Sequence, residues 1–494
     1  MKNRILPALV LMFLITSCVS SKHQVSPTQK IAPPILQEDY RVFRGILEHY
    51  HPGIYWFTPK EKFDLYFDEG FSKLSDSLTE TEFRNILQYV SNNIHCGHTA
   101  IQPSKKYNKY IDTARLNLFP LSLKVWPDSM AVIASLDRKD SVLRRGTVIK
   151  SINGISTHQF TDTFFHYVIS DGYAINGKYQ ALSSRGSFGT LYKNVLGLPK
   201  TFDITYIDRS GNEKHTQLPV FTPIRDTSTV RPPREQTVPR NQPRENFVNA
   251  ARNVQIDTTL SSAYMTLNTF AKGNKLRPFF NESFRTIKEN NIQNLVIDVR
   301  ANGGGDAGLS TMLTQYLIDK KFKLADSLYA VHRSGPYNRY IKKHLFYRLG
   351  MLFITHKAQD GNYHFGYFER HYFKPRKKNH FNGNIYIIIG GNSFSATTIF
   401  AKSLQHQKNV VIVGEETGGG SYGNNAWMIP DVVLPNTGVR FRLPLFRLVM
   451  DKNAVAEGRG IIPDIEVAPT AETIRKGIDP KSEKVKELIL SKKK

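Results

Sequence analysis

The sequence predicts an α/β core placed behind a small helical domain and a β-rich domain, and three observations predict it. Apolar residues recur at helical spacing from Leu36 to about Ser91, and short strand-like runs follow from about Leu116 to Pro219. Beyond residue 256, buried strands alternate with helical stretches, the pattern of βαβ units. The chain has 494 residues, 40% hydrophobic and 22% charged, a balance that excludes a mostly disordered chain. At roughly 150 residues per domain the length allows two to four domains. Two cysteines, Cys18 and Cys96, exclude a disulfide scaffold and a zinc site built on several thiolates.

The N-terminus carries Lys2 and Arg4, then an apolar run from Ile5 to Ile15, then Thr16-Ser17-Cys18. A basic start, a short apolar stretch and small residues before a cleavage point describe a secretory signal. Ile15-Thr16-Ser17-Cys18 also resembles a bacterial lipobox, which implies a lipid on Cys18 after removal of residues 1–17. Residues 18–35 then read as a tether. The expected location is the cell envelope, lipid-anchored to a bacterial membrane.

The helical domain is expected over residues 36–112. Tyr40, Phe43, Ile46 and Leu47 share one helical face, and Thr58-Pro59-Lys60-Glu61 reads as a cap followed by proline at the first helical position. Thr79 and Glu82 form a second start signal, a capping box. His95-Cys96-Gly97-His98-Thr99 closes the segment. Residues 113–220 form the β-rich domain, with a strand near Val148 to Ile152 ended by the Asn153-Gly154 turn. The Gly146 to Gly154 run resembles a PDZ-like segment, a fold that captures extended peptides at a sheet edge. Residues 221–255, rich in proline and arginine, read as a linker, and 256–494 as the core, with a C-terminal helical tail.

Two glycine-rich turns follow buried strands of the core. The first is Arg300 to Asp306, with Gly303-Gly304-Gly305, and the second is Gly390 to Ser395, leading into Ala396. A serine at a strand-to-helix turn lies beside free backbone N–H groups that can stabilise an oxyanion. Glycine in the facing turn lets another N–H approach the same oxygen. The plainer readings are a helix cap for Ser395 and a phosphate cradle for the glycines, although Gly305-Asp306-Ala307 lacks the Lys-Ser/Thr ending of a phosphate loop.

Leu295 to Gly305, Ser393-Phe394-Ser395-Ala396, Val411 to Gly419 and Glu457-Gly458-Arg459-Gly460-Ile461-Ile462-Pro463-Asp464, in that order, resemble the tail-specific (C-terminal-processing) serine peptidase family. The resemblance implies a crotonase/Clp-protease-like core and a serine endopeptidase acting on extended polypeptide, without a cofactor. It also implies an oxyanion hole from the backbone of Gly304 and Ala396. In the Ser/Lys branch a lysine stands where Gly420 is found, and no lysine occurs between Lys408 and Lys452. The tricorn-like branch instead uses a histidine from the helical domain and a glutamate opening the closing motif. His98 and Glu457 match those positions, so the resemblance implies Ser395 as nucleophile, His98 as base and Glu457 as its partner. One departure is Gly97, where relatives can carry a polar residue linking histidine to glutamate. Cys96 reads as a small packed residue, and no metal is expected because His95, Cys96 and His98 lack an evident third ligand.

Lys+Arg exceed Asp+Glu by 67 to 42, a net charge of +25. The excess is spread out except from Lys342 to Lys378, inside an expected insertion over 335–380. There nine basic residues face only Asp360 and Glu369, with aromatics interleaved. Such a stretch can bind single-stranded nucleic acid, but an export signal removes the chain from it. The remaining readings are selection of acidic substrate ends, contact with anionic headgroups, or a solvated basic face. The competing function from another class is a catalytically silent peptide-binding lipoprotein on the same scaffold.

Overall fold

The computed structural model describes residues 26–114, 116–223, 248–454 and 457–492. Cys18, the leader, most of the tether and residues 224–247 of the expected linker lie outside the described residues. No described helix is long and apolar enough to cross a membrane.

The helical domain opens with α1 (Pro33–Tyr50), α2 (Lys60–Ser72) and α3 (Glu80–Asn92). Leu36, Tyr40, Phe43, Ile46, Leu47 and Tyr50 of α1 are buried, the stripe that the spacing predicts. The Thr79/Glu82 capping box is made, with Thr79 N–H donating to Glu82 Oε2 at 2.7 Å. The Thr58 cap is not. Its buried hydroxyl donates instead to the Asn93 carbonyl at 2.8 Å, satisfying the end of α3 rather than the start of α2. The strand Ile101–Gln102 pairs with Arg440–Arg442 of the core, so the chain around His98 is clamped to the core by a shared sheet. The buried carboxylate of Asp39 adds to this clamp by accepting from the backbone N–H of Asn436 (3.0 Å) and Thr437 (2.7 Å).

The β-rich domain is an antiparallel sheet in chain order: β1 (Leu121–Val125), β2 (Met130–Ser135), β3 (Val148–Ile152), β4 (Thr201–Ile207) and β5 (Glu213–Pro219). Asn153 and Gly154 after β3 have φ of 51° and 77°, the left-handed pair that a two-residue hairpin requires. Between β3 and β4 lie α4 (Thr157–Phe164), α5 (Ile175–Ser183) and α6 (Ser187–Leu196). The loop joining α4 to α5 leaves this domain and reaches the helical domain, where Gly172 N–H donates to the His95 carbonyl at 2.9 Å.

The core sheet runs β6 (Arg252–Asp257), β7 (Ser262–Leu267), β8 (Asn294–Asp298), β10 (Asn384–Ile389), β11 (Val410–Gly414) and β14 (Ile465–Glu466). The β6–β7 pair is antiparallel and all later neighbours are parallel. Strand β6 corrects the expected linker, whose last residues are paired because Val254 and Ile256 pack on the core. Around the sheet lie α7 (Leu276–Glu289), α8 (Ala307–Gln315), α10 (Ala396–Leu404) and α11 (Pro480–Ser491), and α8 packs against α10. A second sheet contains β9 (Ser327–Ala330), β13 (Phe446–Val449) and β12 (Gly423–Ala426), and the insertion extends its edge with Tyr363–His364. The insertion also contributes α9 (His344–Ile354).

Candidate active site

Ser395 sits between β10 and α10 with φ 57° and ψ −120°, a conformation that costs a non-glycine residue about 1–3 kcal/mol. Its side chain makes no capping hydrogen bond, so the cap reading does not hold. The surroundings fix the strain. Phe394 N–H donates to the Asn302 carbonyl (3.2 Å), Gly419 N–H to the Ser393 carbonyl (3.1 Å), and Ser393 Oγ to the Val299 carbonyl (2.8 Å). Gly304 has φ +100°, and a methyl group added there would lie 2.8 Å from Ser395 Cβ and 3.0 Å from the Ala396 nitrogen. Only glycine lets the two turns meet so closely.

The oxyanion donors need one correction. Ala396 opens α10, so its N–H has no partner within the helix. The Gly304 N–H, by contrast, already donates to Asn302 Oδ1 at 2.9 Å, because the buried asparagine closes its own turn. The next residue, Gly305, donates no backbone hydrogen bond among the described residues. It lines, with Ser395 and Ala396, a cleft of about 500 Å³. Phe368 and Trp427 form apolar walls of that cleft.

His98 is nearly buried, and its ring packs at a tilt of 37° on Phe394, 4.7 Å between centroids. It lies next to the nucleophile turn but makes no hydrogen bond to Ser395, and it does not line the Ser395 cleft. Burial, assisted by Arg442, pushes its pKa down to about 3, so the ring is neutral and its lone pair is available. Its Nδ1 has no hydrogen-bond partner among the described residues and stands 4.0 Å from Asp171 Oδ1.

Asp171 is the residue that the sequence did not point to. It lies in the α4–α5 loop and is fully buried; Oδ1 accepts from Gly97 N–H at 2.8 Å, the Gly420 N–H favours its charged form, and Oδ2 has no partner among the described residues. Burial pushes its pKa up to about 7 against those two N–H groups and the Arg447 charge. Glu457 is not brought to His98. It is exposed, and its charge acts on Arg459. Among the described residues, Asp171 is the one carboxylate within 4.0 Å of a His98 nitrogen. The closing motif is held instead through Glu416, which accepts from Arg459 at 2.9 and 2.8 Å and from Gly460 N–H at 2.8 Å.

With this geometry in place, comparison with known proteins is specific. Residues 261–467 match the family model described as Peptidase family S41. The chain carries an S41 serine peptidase core. Its structure is similar to mature CPAF complexed with lactacystin at 14% identity and TM-score 0.63, covering 92% of this chain and 98% of that one. A second structure of mature CPAF gives the same identity and TM-score, with 92% and 96% covered. At that identity the likeness describes the fold. No curated protein sequence matches the chain.

The site of this peptidase has no lysine at the position of Gly420, which forms a backbone bridge to Gly460. Cys96, His98 and Asp171 place donor atoms within 4.8 Å of one another, so Asp171 is the third donor that the sequence left unseen. The buried Cys96 thiol, pushed up to about 11 by burial, donates to the Asn425 carbonyl at 3.8 Å.

Proposed function

We propose that the chain is an exported, membrane-tethered serine endopeptidase in which Ser395 attacks the peptide carbonyl of an extended segment. His98, through the ring nitrogen turned away from Asp171, takes the Ser395 proton as the Oγ–C bond forms. The N–H groups of Ala396 and Gly305 receive the negative oxygen of the tetrahedral intermediate. His98 then returns the proton to the leaving amine, and water hydrolyses the acyl-enzyme by the same steps in reverse order. Asp171 keeps the remaining ring proton on Nδ1 and balances the imidazolium, the role that the sequence resemblance gave to Glu457. Substrate fills the cleft beside Phe368 and Trp427, which favours apolar side chains near the cleaved bond.

The observation that carries this reading is the strained Ser395, free of any capping bond, lining one cleft with Gly305 and Ala396, whose N–H groups donate no backbone hydrogen bond among the described residues. The missing Ser395–His98 hydrogen bond does not oppose it, because such bonds tighten in the complex with substrate. That same gap supports the second reading, a silent peptide-binding scaffold. A fluorophosphonate probe separates the two. The peptidase reading requires covalent labelling of the wild type and none of Ser395→Ala; an unlabelled wild type across pH 6 to 9 would favour the binder.

A further inference from the structure

Helix α9, unlike an ordinary surface helix, turns an apolar face to the outside as well as to the core. Leu345, Phe346, Leu349, Leu352 and Phe353 are 59%, 69%, 52%, 45% and 87% exposed. At about 100° per residue they cover one continuous arc of about 120°, with Arg348 just beyond its edge. The opposite face is already in use. Met351 is buried in the core, Tyr347 and Ile354 pack against it, and a methyl group at Gly350 would lie 3.1 Å from Met428 Cε, beside Trp427 of the Ser395 cleft in sequence. Exposed apolar side chains are ordinary one at a time, but five on a single helix mark an interaction surface.

The charges around that face select its partner. Lys342 and Lys343 precede the helix and Lys357 follows it; all are exposed, and neither they nor Arg348 make an ion pair among the described residues. The two acids of the segment, Asp360 and Glu369, are both occupied by His364, at 2.9 and 2.7 Å. Two copies of the chain meeting through α9 would bring unpaired cations together with no carboxylate of this segment to offset them. A bilayer bearing anionic phospholipid offers both complements, acyl chains for the leucines and phenylalanines and phosphates for the bases.

We propose that α9 is a membrane-contact helix whose apolar face enters the interface of an anionic bilayer and holds the Ser395 cleft next to the membrane. The proposal does not depend on a lipid at Cys18 or on the catalytic reading. It is tested in the full chain carrying Cys18→Ser, with an environment-sensitive fluorophore on Phe353→Cys; Cys96 is buried and stays unlabelled. A label on Leu65→Cys, an exposed leucine that stands alone among Asp64 and Asp68, serves as control. With phosphatidylglycerol/phosphatidylcholine vesicles the residue 353 label moves to a blue-shifted, lipid-quenched state, and the residue 65 label does not. Lys342→Gln/Lys343→Gln/Arg348→Gln weakens the transition roughly 100-fold, at about fivefold per basic residue, and high salt reverses it in the parent protein. An aqueous signal at position 353 with those vesicles overturns the proposal. So does a blue shift without vesicles that grows with protein concentration, which would assign the face to a second copy, or an equal shift on pure phosphatidylcholine that ignores the triple substitution.

Discussion

Two buried charge clusters join the domains of this molecule, and they solve the same electrostatic problem in opposite ways. Lys124 on β1, Glu415 after β11 and Lys481 on α11 meet where the β-rich domain, the core sheet and the C-terminal helix converge. Glu415 lies 3.7 Å from one lysine and 2.8 Å from the other, and Lys481 also donates to the Ile389 carbonyl at 3.1 Å. Asp171 and His98 lie 4.0 Å apart where the β-rich domain, the helical domain and the core converge, and the buried Arg447 acts on Asp171 through its charge. Here Asp171 Oδ2, His98 Nδ1 and two Arg447 nitrogens have no hydrogen-bond partner among the described residues. Arg447 instead lies over the Trp56 ring and bonds Asn425 at 3.1 Å. A cluster with matched partners fixes domains in place. Unpaired groups held at comparable burial are costly to keep and are characteristic of sites where chemistry is done.

The largest expected effect breaks the second cluster. His98→Ala lowers the rate of probe acylation by about 10²–10⁴-fold with the fold retained, the contribution of a positioned general base. An unchanged rate would remove His98 from the mechanism.

Breaking the first cluster moves the other observable. Glu415→Gln leaves Lys124 and Lys481 buried without their countercharge, a loss of about 3–5 kcal/mol of stability. It shows as a lower urea midpoint, while acylation per folded molecule stays near wild type. A large catalytic loss without destabilisation would reverse the assignments of the two clusters.

A smaller effect sharpens the contrast through pH. The pKa of Asp171 is raised on folding, so between about 4 and about 7 the folded state binds more protons than the unfolded state. This residue's contribution to stability is therefore fullest below pH 4 and is lost as pH rises through 7. Asp171→Asn removes that decline, so denaturation midpoints of the variant exceed those of wild type at pH 8. A steeper decline in the variant would mean that Asp171 is ionised and well compensated in the fold. Smallest of all, Glu457→Gln keeps acylation within about a factor of 2 of wild type, as for any exposed substitution. A loss comparable to that of His98→Ala would restore the glutamate to the relay.

What the sequence disclosed and what it concealed follow from the range of the interactions. The α1 stripe, the Thr79/Glu82 box and the Asn153-Gly154 turn depend on residues a few positions apart, and all are readable in order. Ser395 and the facing glycines are also legible, since a strand-to-helix turn is a local object. Thr58 looked like a cap because nothing nearby reveals that the Asn93 carbonyl needs its hydroxyl. Gly304 looked like the second oxyanion donor because the asparagine two residues earlier gives no sign that it will take that N–H. Asp171 was hidden altogether. Ser170-Asp171-Gly172 reads as one more turn of the β-rich domain, and only docking against Gly97 and Gly420 makes it a neighbour of His98. Gly97 still carried a trace of the answer. The missing polar link at that position left the partner of His98 open, and the backbone N–H of this same glycine is what binds Asp171.

The central claim is that Asp171 orients His98 for proton transfer from Ser395, and the pH dependence of acylation tests it most directly. Because His98 is held neutral far below its ordinary range, its own protonation cannot set the acid limb of the profile. Protonation of Asp171 can: the new proton hydrogen-bonds Nδ1 and leaves the ring's other nitrogen carrying the hydrogen, which disables the base. Initial rates of fluorophosphonate acylation should therefore fall as pH drops through about 7 in wild type. In Asp171→Asn they should be lower by about 10²-fold or more and lack that limb, with stability equal or higher. A variant that reacts at the wild-type rate, or that keeps the same acid limb, would contradict the account.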